Sequence, residues 1–169
     1  SDARGTNLLD GGAPFYDCYA CADGRHLAVG ALEPPFQAEL LERLGLDGEF
    51  TAPVARPEWP RLRTRLTEVL ASRPRDDWAA AFDGSDACVA PVLDFGEAPS
   101  HPQHRARQAF VAIDGLLQPA PAPRFSRTPP ATPRAPARPG EHGRAILHDW
   151  GVDAALSARL YPEGPDSAT

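Results

Sequence analysis

One stretch of the chain is so rich in proline that it separates the parts of the sequence that can fold regularly. Between Gln118 and Gly140 there are eight prolines and four arginines. Proline lacks a backbone N–H and fixes φ, so this stretch is unsuited to an α-helix or a central β-strand. We therefore expect an extended connector. It is either a free linker or an ordered strap along a partner domain, for which Phe125 would serve as an anchor.

The residues before this connector have the patterns of a compact α+β unit. Two β-favouring runs, FYDCYAC and HLAVG, flank Asp23-Gly24 and predict a hairpin over Phe15 to Gly30. A short apolar run, Ala87 to Leu93, predicts a buried or edge strand with its proline at an edge position or a bulge. A second hairpin is predicted around Asp114-Gly115, between Phe110 and Leu117.

Helical patterns occupy the intervals between these strands and the end of the chain. Pro34 and Pro35 suit the start of a helix, and Gly45 ends the run. Further helices are predicted from about Glu58 to Ser72, Pro74 to Gly84, Glu141 to Trp150 and Asp153 to Leu160. The side chains expected on the buried faces of the first three helices are Phe36, Leu40, Leu41, Leu44, Trp59, Leu62, Leu66, Val69, Leu70, Trp78, Ala81 and Phe82.

The charged residues exclude several kinds of chemistry. All 17 basic residues are arginine, so a Schiff-base lysine and a P-loop lysine are excluded. The formal net charge of -6 argues against a nucleic-acid partner, because phosphate binding requires a surplus of basic residues on one face.

The cysteine count and the hydropathy of the sequence indicate in which cellular compartment the protein is expected. Three cysteines are too few and odd in number for a disulfide scaffold, which favours a reducing cytoplasm. There is no apolar stretch of about 18 residues, so we predict no membrane span. The chain contains no methionine and opens on what reads as the middle of a domain, so we expect it to be a piece of a longer protein.

Glu33 is the strongest candidate for a chemical role. It lies where a strand is followed by a helix, between Leu32 and a Pro-Pro step, with Phe36 nearby. A carboxylate held rigidly beside apolar groups can act as an acid or a base, or can orient a histidine. The structural alternative is an acidic residue that stabilises the N-terminus of the following helix. The pattern alone leaves both roles open.

Other polar residues give weaker signals. Cys18 and Cys21 form a C-x-x-C pair that His101 and His104 could complete as a metal site, but residues three apart on a strand point to opposite faces. We therefore predict no metal site. Cys88 in an apolar strand is expected to be inert, because burial raises the pKa of a thiol. The remaining histidines have no carboxylate or cysteine pattern near them and are expected to be ordinary: His26, His142 and His148.

The loop before the first strand is a further candidate. Asp10, Gly11 and Gly12 form a turn that could approach a ligand closely, and Thr6 and Asn7 supply hydroxyl and amide groups. The structural alternative is a plain turn. The G-x-G-x-x-G pattern of dinucleotide-binding proteins is absent.

Four ordered blocks carry a family resemblance that covers the chain from Arg4 to Gly151. They are GTNLLDGGAPFYDCYACADGRHLAVGALEPPF, DACVAPVLDFGEAPSHPQHRAR, QPAPAPRFSRTP and PGEHGRAILHDWG. They resemble the C-terminal half of acyl-CoA racemases in the class III CoA-transferase superfamily, also called the CaiB/BaiF family. The parts of that family that bind most of the CoA and supply a catalytic histidine and aspartate resemble nothing in this chain.

The resemblance implies a division of the chain. An interdomain loop, 1–16, would precede a small α+β domain at 17–107. A hairpin and the proline-rich connector, 108–140, would lead to a helical segment, 141–169, that packs on a large N-terminal domain. Subunits of the family interlock as homodimers, so the small domain of one chain closes the active site of another.

The resemblance also assigns site residues. Glu33 matches the family's small-domain catalytic glutamate, which pairs with a histidine supplied in trans. Tyr16 and Leu32 match positions that line the acyl pocket, and Asn7, Leu9 and Asp10 belong to the loop beside it. The implied activity is racemisation of 2-methyl-branched acyl-CoA, with acyl-CoA as substrate and no cofactor. The alternatives are a CoA-transferase of the same superfamily and a non-enzymatic assembly domain.

Overall fold

A computed structural model describes residues 2–131 and 133–161 of the chain. They belong to two compact units, the first ending at Gly96 and the second beginning at Glu97. Each unit mixes helices with a small antiparallel sheet, which confirms the predicted α+β class. The division at 16/17, 107/108 and 140/141 that the family resemblance implies stays a prediction.

A three-stranded antiparallel sheet forms the centre of the first unit. Its strands are β1 (Tyr16–Ala20), β2 (His26–Gly30) and β3 (Val89–Pro91), in the order β1-β2-β3. The predicted hairpin is therefore confirmed, and Gly24 in its turn has a φ of 75°. The predicted edge strand is also confirmed, although it is shorter than the apolar run, and its proline lies where an edge strand tolerates a missing donor.

Three helices cover one face of this sheet. They are α1 (Pro34–Arg43), α2 (Trp59–Leu70) and α3 (Arg75–Phe82), as their apolar periodicity predicts. Gly45, with a φ of 68°, follows α1 and ends it as expected. One predicted core residue is wrong: Ala81 is exposed, because the buried face of the short α3 is formed by Arg75, Trp78 and Phe82. The largest fully buried side chains are Leu27, Leu40, Leu41, Leu46, Leu62, Leu66, Leu70 and Pro14.

Gln37 is a polar residue inside this apolar core. Its side chain is 3% exposed. The amide nitrogen donates to the Leu32 carbonyl at 3.1 Å, and the amide oxygen accepts from the Val54 N–H at 3.0 Å. One side chain on α1 thus joins the segment that enters the helix to a loop distant in sequence, and leaves no buried backbone group unpaired at either contact.

The second unit consists of shorter elements. It contains α4 (Pro102–Ala106), the hairpin of β4 (Phe110–Ile113) and β5 (Leu116–Pro119), α5 (Gly143–Asp149) and α6 (Ala154–Leu160). The predicted hairpin is confirmed and extends two residues into the proline-rich stretch. The Asp153 carboxylate accepts from the N–H groups of Ala155 and Leu156, so Asp153 is the N-cap of the last helix, which begins where the sequence predicts.

The proline-rich stretch contains no helix and no further strand in the residues described, 120–131 and 133–140. Its expected anchor, Phe125, is 58% exposed. Packing of this stretch along a partner domain therefore stays a prediction. No helix in the described residues is both long enough and apolar enough to cross a membrane.

We expect Gln37→Leu to destabilise the first unit. Leucine fills a similar space but leaves the Leu32 carbonyl and the Val54 N–H buried without partners, at a cost of about 1–3 kcal/mol for each group. Urea unfolding followed by tryptophan fluorescence measures the loss. Gln103→Leu on the exposed side of α4 is the matched control and should leave the unfolding free energy of the first unit unchanged. Equal stability of the two variants would contradict the role of Gln37.

Candidate functional site

The outer face of the three-stranded sheet forms a shallow groove. Because side chains alternate along a strand, Tyr16 and Cys18 lie on this face beside Ala28, Gly30 and Ala90 of the neighbouring strands. The central positions carry only a methyl group or a hydrogen atom, which leaves a cavity of about 530 Å³. The groove floor is therefore flat and largely apolar, with the aromatic ring of Tyr16 at one side.

The turn Leu8–Gly12 forms a wall of this groove. Leu9, Asp10 and Gly11 line the cavity, and Leu8 and Leu9 expose much of their apolar surface. The Asp10 carboxylate accepts from the Asn7 backbone N–H at 2.7 Å and from the Asn7 side-chain amide at 2.8 Å. The Asn7 side-chain hydrogen bond is the main reason why the pKa of Asp10 lies below its ordinary value. Asn7 thus holds Asp10 ionised and in place.

Gly12 allows the turn to close. Its N–H donates to the Asn7 carbonyl at 3.0 Å. A Cβ atom at this position would lie 2.4 Å from that carbonyl oxygen and 2.6 Å from the Thr6 carbonyl carbon. Both neighbours are backbone atoms, so neither can rotate away. Steric crowding by the backbone of this turn therefore explains why a glycine occupies position 12 of the predicted loop.

Arg63 on α2 connects the turn to the sheet. One terminal nitrogen lies 2.5 Å from Asp17 Oδ2, and the other donates to the Gly11 carbonyl at 2.6 Å. Asp17 is on β1, and its other oxygen accepts from the Cys18 N–H at 2.8 Å. Arg63 was not singled out from the sequence, because its position among the arginines on the polar face of α2 gives no signal of these contacts.

Glu33 lies beside the groove, at the start of α1. It has extended backbone angles at the N-cap position, and its carbonyl accepts from the Gln37 N–H at 3.0 Å. The carboxylate is exposed and makes no capping hydrogen bond to the helix. Within residues 2–131 and 133–161, no group forms a hydrogen bond or an ion pair with it. The structural alternative of direct capping is therefore not realised, although the negative charge still lies at a helix N-terminus.

Cys88 lines the groove next to Gly30. It has a φ of 53°, and its carbonyl accepts from the Gly30 N–H at 2.9 Å. Loss of hydration raises the pKa of the thiol, and the Glu33 carboxylate is the next largest cause, ahead of Asp86 and Glu39. The Glu33 charge therefore acts on a residue that lines the groove. The expected raised pKa is confirmed, although the residue precedes β3 and is exposed.

The predicted site residues fall into two groups. Tyr16, Leu9 and Asp10 line the groove, with Asn7 behind Asp10. Glu33 and Leu32 do not line it. They follow Gly30 along the chain, and the Leu32 N–H donates to the Gly30 carbonyl at 2.9 Å. The Leu32 side chain packs against the core instead.

The cysteine candidates belong to the first unit and the histidine candidates to the second. Cys18 is exposed on the groove face and Cys21 is buried beneath it, as the strand spacing predicts. The rings of His101 and His104 lie at a tilt of 56°, with centroids 5.3 Å apart. No cluster of three or more potential metal ligands occurs in the part of the chain that the structure describes.

Comparison of the sequence with known proteins shows the family of the chain. The chain belongs to CoA-transferase family III, which it matches over residues 2–143. It is 46% identical to alpha-methylacyl-CoA racemase of Mus musculus over 165 residues, which make up 95% of this chain and 43% of that protein. It is 41% identical to alpha-methylacyl-CoA racemase of Homo sapiens over 152 residues, or 88% of this chain and 40% of that protein. The chain thus spans less than half the length of these curated relatives.

Solved structures support the same fold. A hypothetical protein from Mycobacterium tuberculosis aligns with a TM-score of 0.61 at 16% identity, over 82% of this chain and 41% of that one. A CaiB/BaiF family protein from Brucella suis aligns with a TM-score of 0.56 at 23% identity, over 79% of this chain and 37% of that one. The family resemblance seen in the sequence is confirmed.

We expect Gly12→Ala to open the turn that forms the groove wall. The added methyl group must displace the Asn7 carbonyl or the Thr6 backbone, at a cost of about 1–3 kcal/mol. Unfolding free energies and limited proteolysis within residues 5–13 measure the effect. Gly48→Ala is the control, because a Cβ there meets no atom within 4 Å. An unchanged cleavage rate in Gly12→Ala would contradict the steric argument.

The Cys88 thiol provides a probe of the Glu33 charge. We expect Glu33→Gln to lower the pKa of Cys88, because removing a nearby negative charge favours the thiolate. The pH dependence of alkylation, resolved for each cysteine by mass spectrometry, measures this pKa. Glu42→Gln, an equal change of charge on the exposed face of α1, should leave it unchanged. Identical profiles for both variants would place Glu33 farther from the groove than we infer.

Proposed function

We propose that this chain is the part of an acyl-CoA racemase that completes its active site, acting on 2-methyl-branched acyl-CoA thioesters. The observation that carries the proposal is the Glu33 carboxylate. It is exposed beside a flat apolar groove, and no described residue of the chain is bonded to it. An exposed carboxylate without a bonded partner can accept a hydrogen bond from a group on another domain or subunit.

The chemistry explains why such a carboxylate is needed. Inverting the carbon α to a thioester requires removal of its proton on one face and delivery of a proton on the other. The negative charge that develops on the thioester oxygen must be stabilised meanwhile. Two proton-transfer groups must therefore flank the carbon. A single short domain rarely surrounds its substrate in this way, whereas two domains that close on each other do so readily.

Glu33 would act by pairing with a histidine on the large N-terminal domain of the partner subunit. A carboxylate that accepts a hydrogen bond from one imidazole nitrogen fixes the tautomer and favours the protonated ring. The histidine would then exchange a proton with the α-carbon, and an aspartate of the same large domain would serve the opposite face. Acyl-CoA is the substrate in this proposal, and the reaction needs no cofactor.

The groove would receive the acyl group. Ala28, Gly30 and Ala90 leave space above the sheet, and Tyr16 and Leu9 supply apolar contact at its edges. The thioester would lie towards the Gly30 end, because Glu33 follows this residue in the chain. Leu32 would contribute indirectly, by fixing the course of the backbone between Gly30 and Glu33. The likeness to two curated racemases supports this assignment over a CoA-transferase, whose reaction proceeds through an aspartyl intermediate in the large domain.

Deuterium wash-in tests the reaction in the full-length protein. The racemase reaction introduces solvent deuterium at the acyl α-carbon without transferring CoA to a free acid. A CoA-transferase gives the reverse pattern, which would contradict the proposal. Neither reaction in a correctly folded, full-length protein would favour the non-enzymatic alternative. The 169-residue chain alone should show no wash-in, because Glu33 would lack its histidine partner.

We expect Glu33→Gln to lower kcat on the order of a hundredfold or more, because it removes the partner of a proton-transfer group. The remaining activity should have its pH profile shifted to lower pH, since a histidine without the carboxylate loses its proton more easily. Glu42→Gln should retain both the rate and the profile. Near-normal turnover in Glu33→Gln would remove the assigned role, whereas a lower rate with an unshifted profile would indicate a role other than pairing with histidine.

A further inference from the structure

We infer that Arg63 is a positioning residue that holds the groove wall closed and so determines how tightly the acyl group is bound. This inference rests on the proposed function, because it assigns the groove to the acyl group. The contact in question joins α2 to the turn Leu8–Gly12. Neither element is next to Glu33 in the sequence.

The geometry of Arg63 suits it for this role. Its guanidinium bonds Asp17 at 2.5 Å and the Gly11 carbonyl at 2.6 Å, with a longer contact of 3.4 Å to the Gly12 carbonyl. The guanidinium fork presents donors to both groups at once, which the single ammonium of a lysine reproduces poorly. The sheet floor and the turn that forms the wall are therefore tied by one side chain.

Two other contacts flank the turn: the Arg56 guanidinium donates to the Thr6 carbonyl at 2.9 Å, and the buried Ala13 follows Gly12. None of its residues is buried, and Leu8 and Leu9 are exposed, so little apolar packing holds it against the first unit. Its internal hydrogen bonds, from Gly12 to Asn7 and from Asn7 to Asp10, fix its shape. The Arg63 bond to the Gly11 carbonyl joins the turn itself to β1 through Asp17, between the two flanking contacts.

A competing explanation is that Arg63 only neutralises Asp17. Asp17 alternates with Tyr16 and Cys18 along β1, so its carboxylate projects from the opposite side of the strand, yet its unpaired charge would still act on an apolar acyl group bound across the strand. The two explanations differ in what a second substitution does. If Arg63 only neutralises charge, removing the carboxylate as well restores binding. If Arg63 anchors the wall through Gly11, removing the carboxylate restores nothing.

Three variants of the full-length protein separate these explanations in the wash-in assay. We expect Arg63→Met to raise KM about tenfold with kcat little changed, because it loses a charge-assisted contact made before the chemical step. Asp17→Asn should raise KM less than about threefold, because the contact with Gly11 remains. The double variant should match Arg63→Met. A return of its KM to the Asp17→Asn value would overturn wall anchoring in favour of charge neutralisation.

A second arginine on α2 provides the control for a general loss of surface charge. Arg65 lies on the same helix and forms ion pairs with Glu49 and Glu68. Arg65→Met removes these pairs and therefore controls for the loss of surface charge pairs away from the groove. It should leave KM unchanged. Hydrogen exchange of the Gly12 amide should accelerate in Arg63→Met but not in Arg65→Met. If Arg63→Met does not fold, Arg63→Lys is used, and a KM equal to that of the unsubstituted protein would overturn the inference.

Failure of this inference and failure of the proposed function give different results. If the full-length protein shows no wash-in at all, the proposed function fails. Exchange at Gly12 then still reports whether Arg63 holds the turn. If wash-in occurs and depends on Glu33, while Arg63→Met leaves KM and exchange unchanged, only the role of Arg63 is lost.

Discussion

The alternation of side chains across the three-stranded sheet is the constraint on which the rest of the first unit depends. Residues such as Leu27 and Val29 point into the core and provide the surface on which the helices pack. Ala28 and Gly30 alternate with these residues along β2 and face the other side of the sheet. Because they are small, they leave the groove open. A shift in register by one residue would exchange the two faces, placing small side chains in the core and large ones in the groove. Core stability and the shape of the candidate site therefore have the same origin.

The elements with strong local signals could be predicted from the sequence. The hairpin of β1 and β2, the start of α1 at two prolines and the cap at Asp153 each depend on residues close together in the chain. Such local preferences survive in the fold because nothing in the core opposes them. Ala81 was misplaced because α3 is short, so the apolar periodicity extends over too few turns to identify the buried face.

The candidate site was predictable only in part, and for a definite reason. Leu9, Asp10 and Tyr16 are near one another in sequence, and the family resemblance assigned Tyr16 to the pocket and Leu9 and Asp10 to the loop beside it. Arg63 and Gln37 make their important contacts with residues distant in sequence, and neither type of residue is unusual on a helix. Pairing across such distances depends on how the helices pack, which periodicity does not specify. The role of Glu33 stays a prediction, since its proposed partner lies outside this chain.

The steric restriction at Gly12 has a consequence for how the groove can change. The path of the turn is set by backbone contacts at Gly12 and by the Arg63 contact with the Gly11 carbonyl, and neither involves the side chain of Leu9. The side chain at position 9 is therefore free to vary in size without altering the course of the main chain. A set of proteins that differ only there would offer grooves of graded width on one unchanged scaffold. If the groove receives the acyl group as proposed, variation at position 9 would be a simple route to new acyl-group preferences.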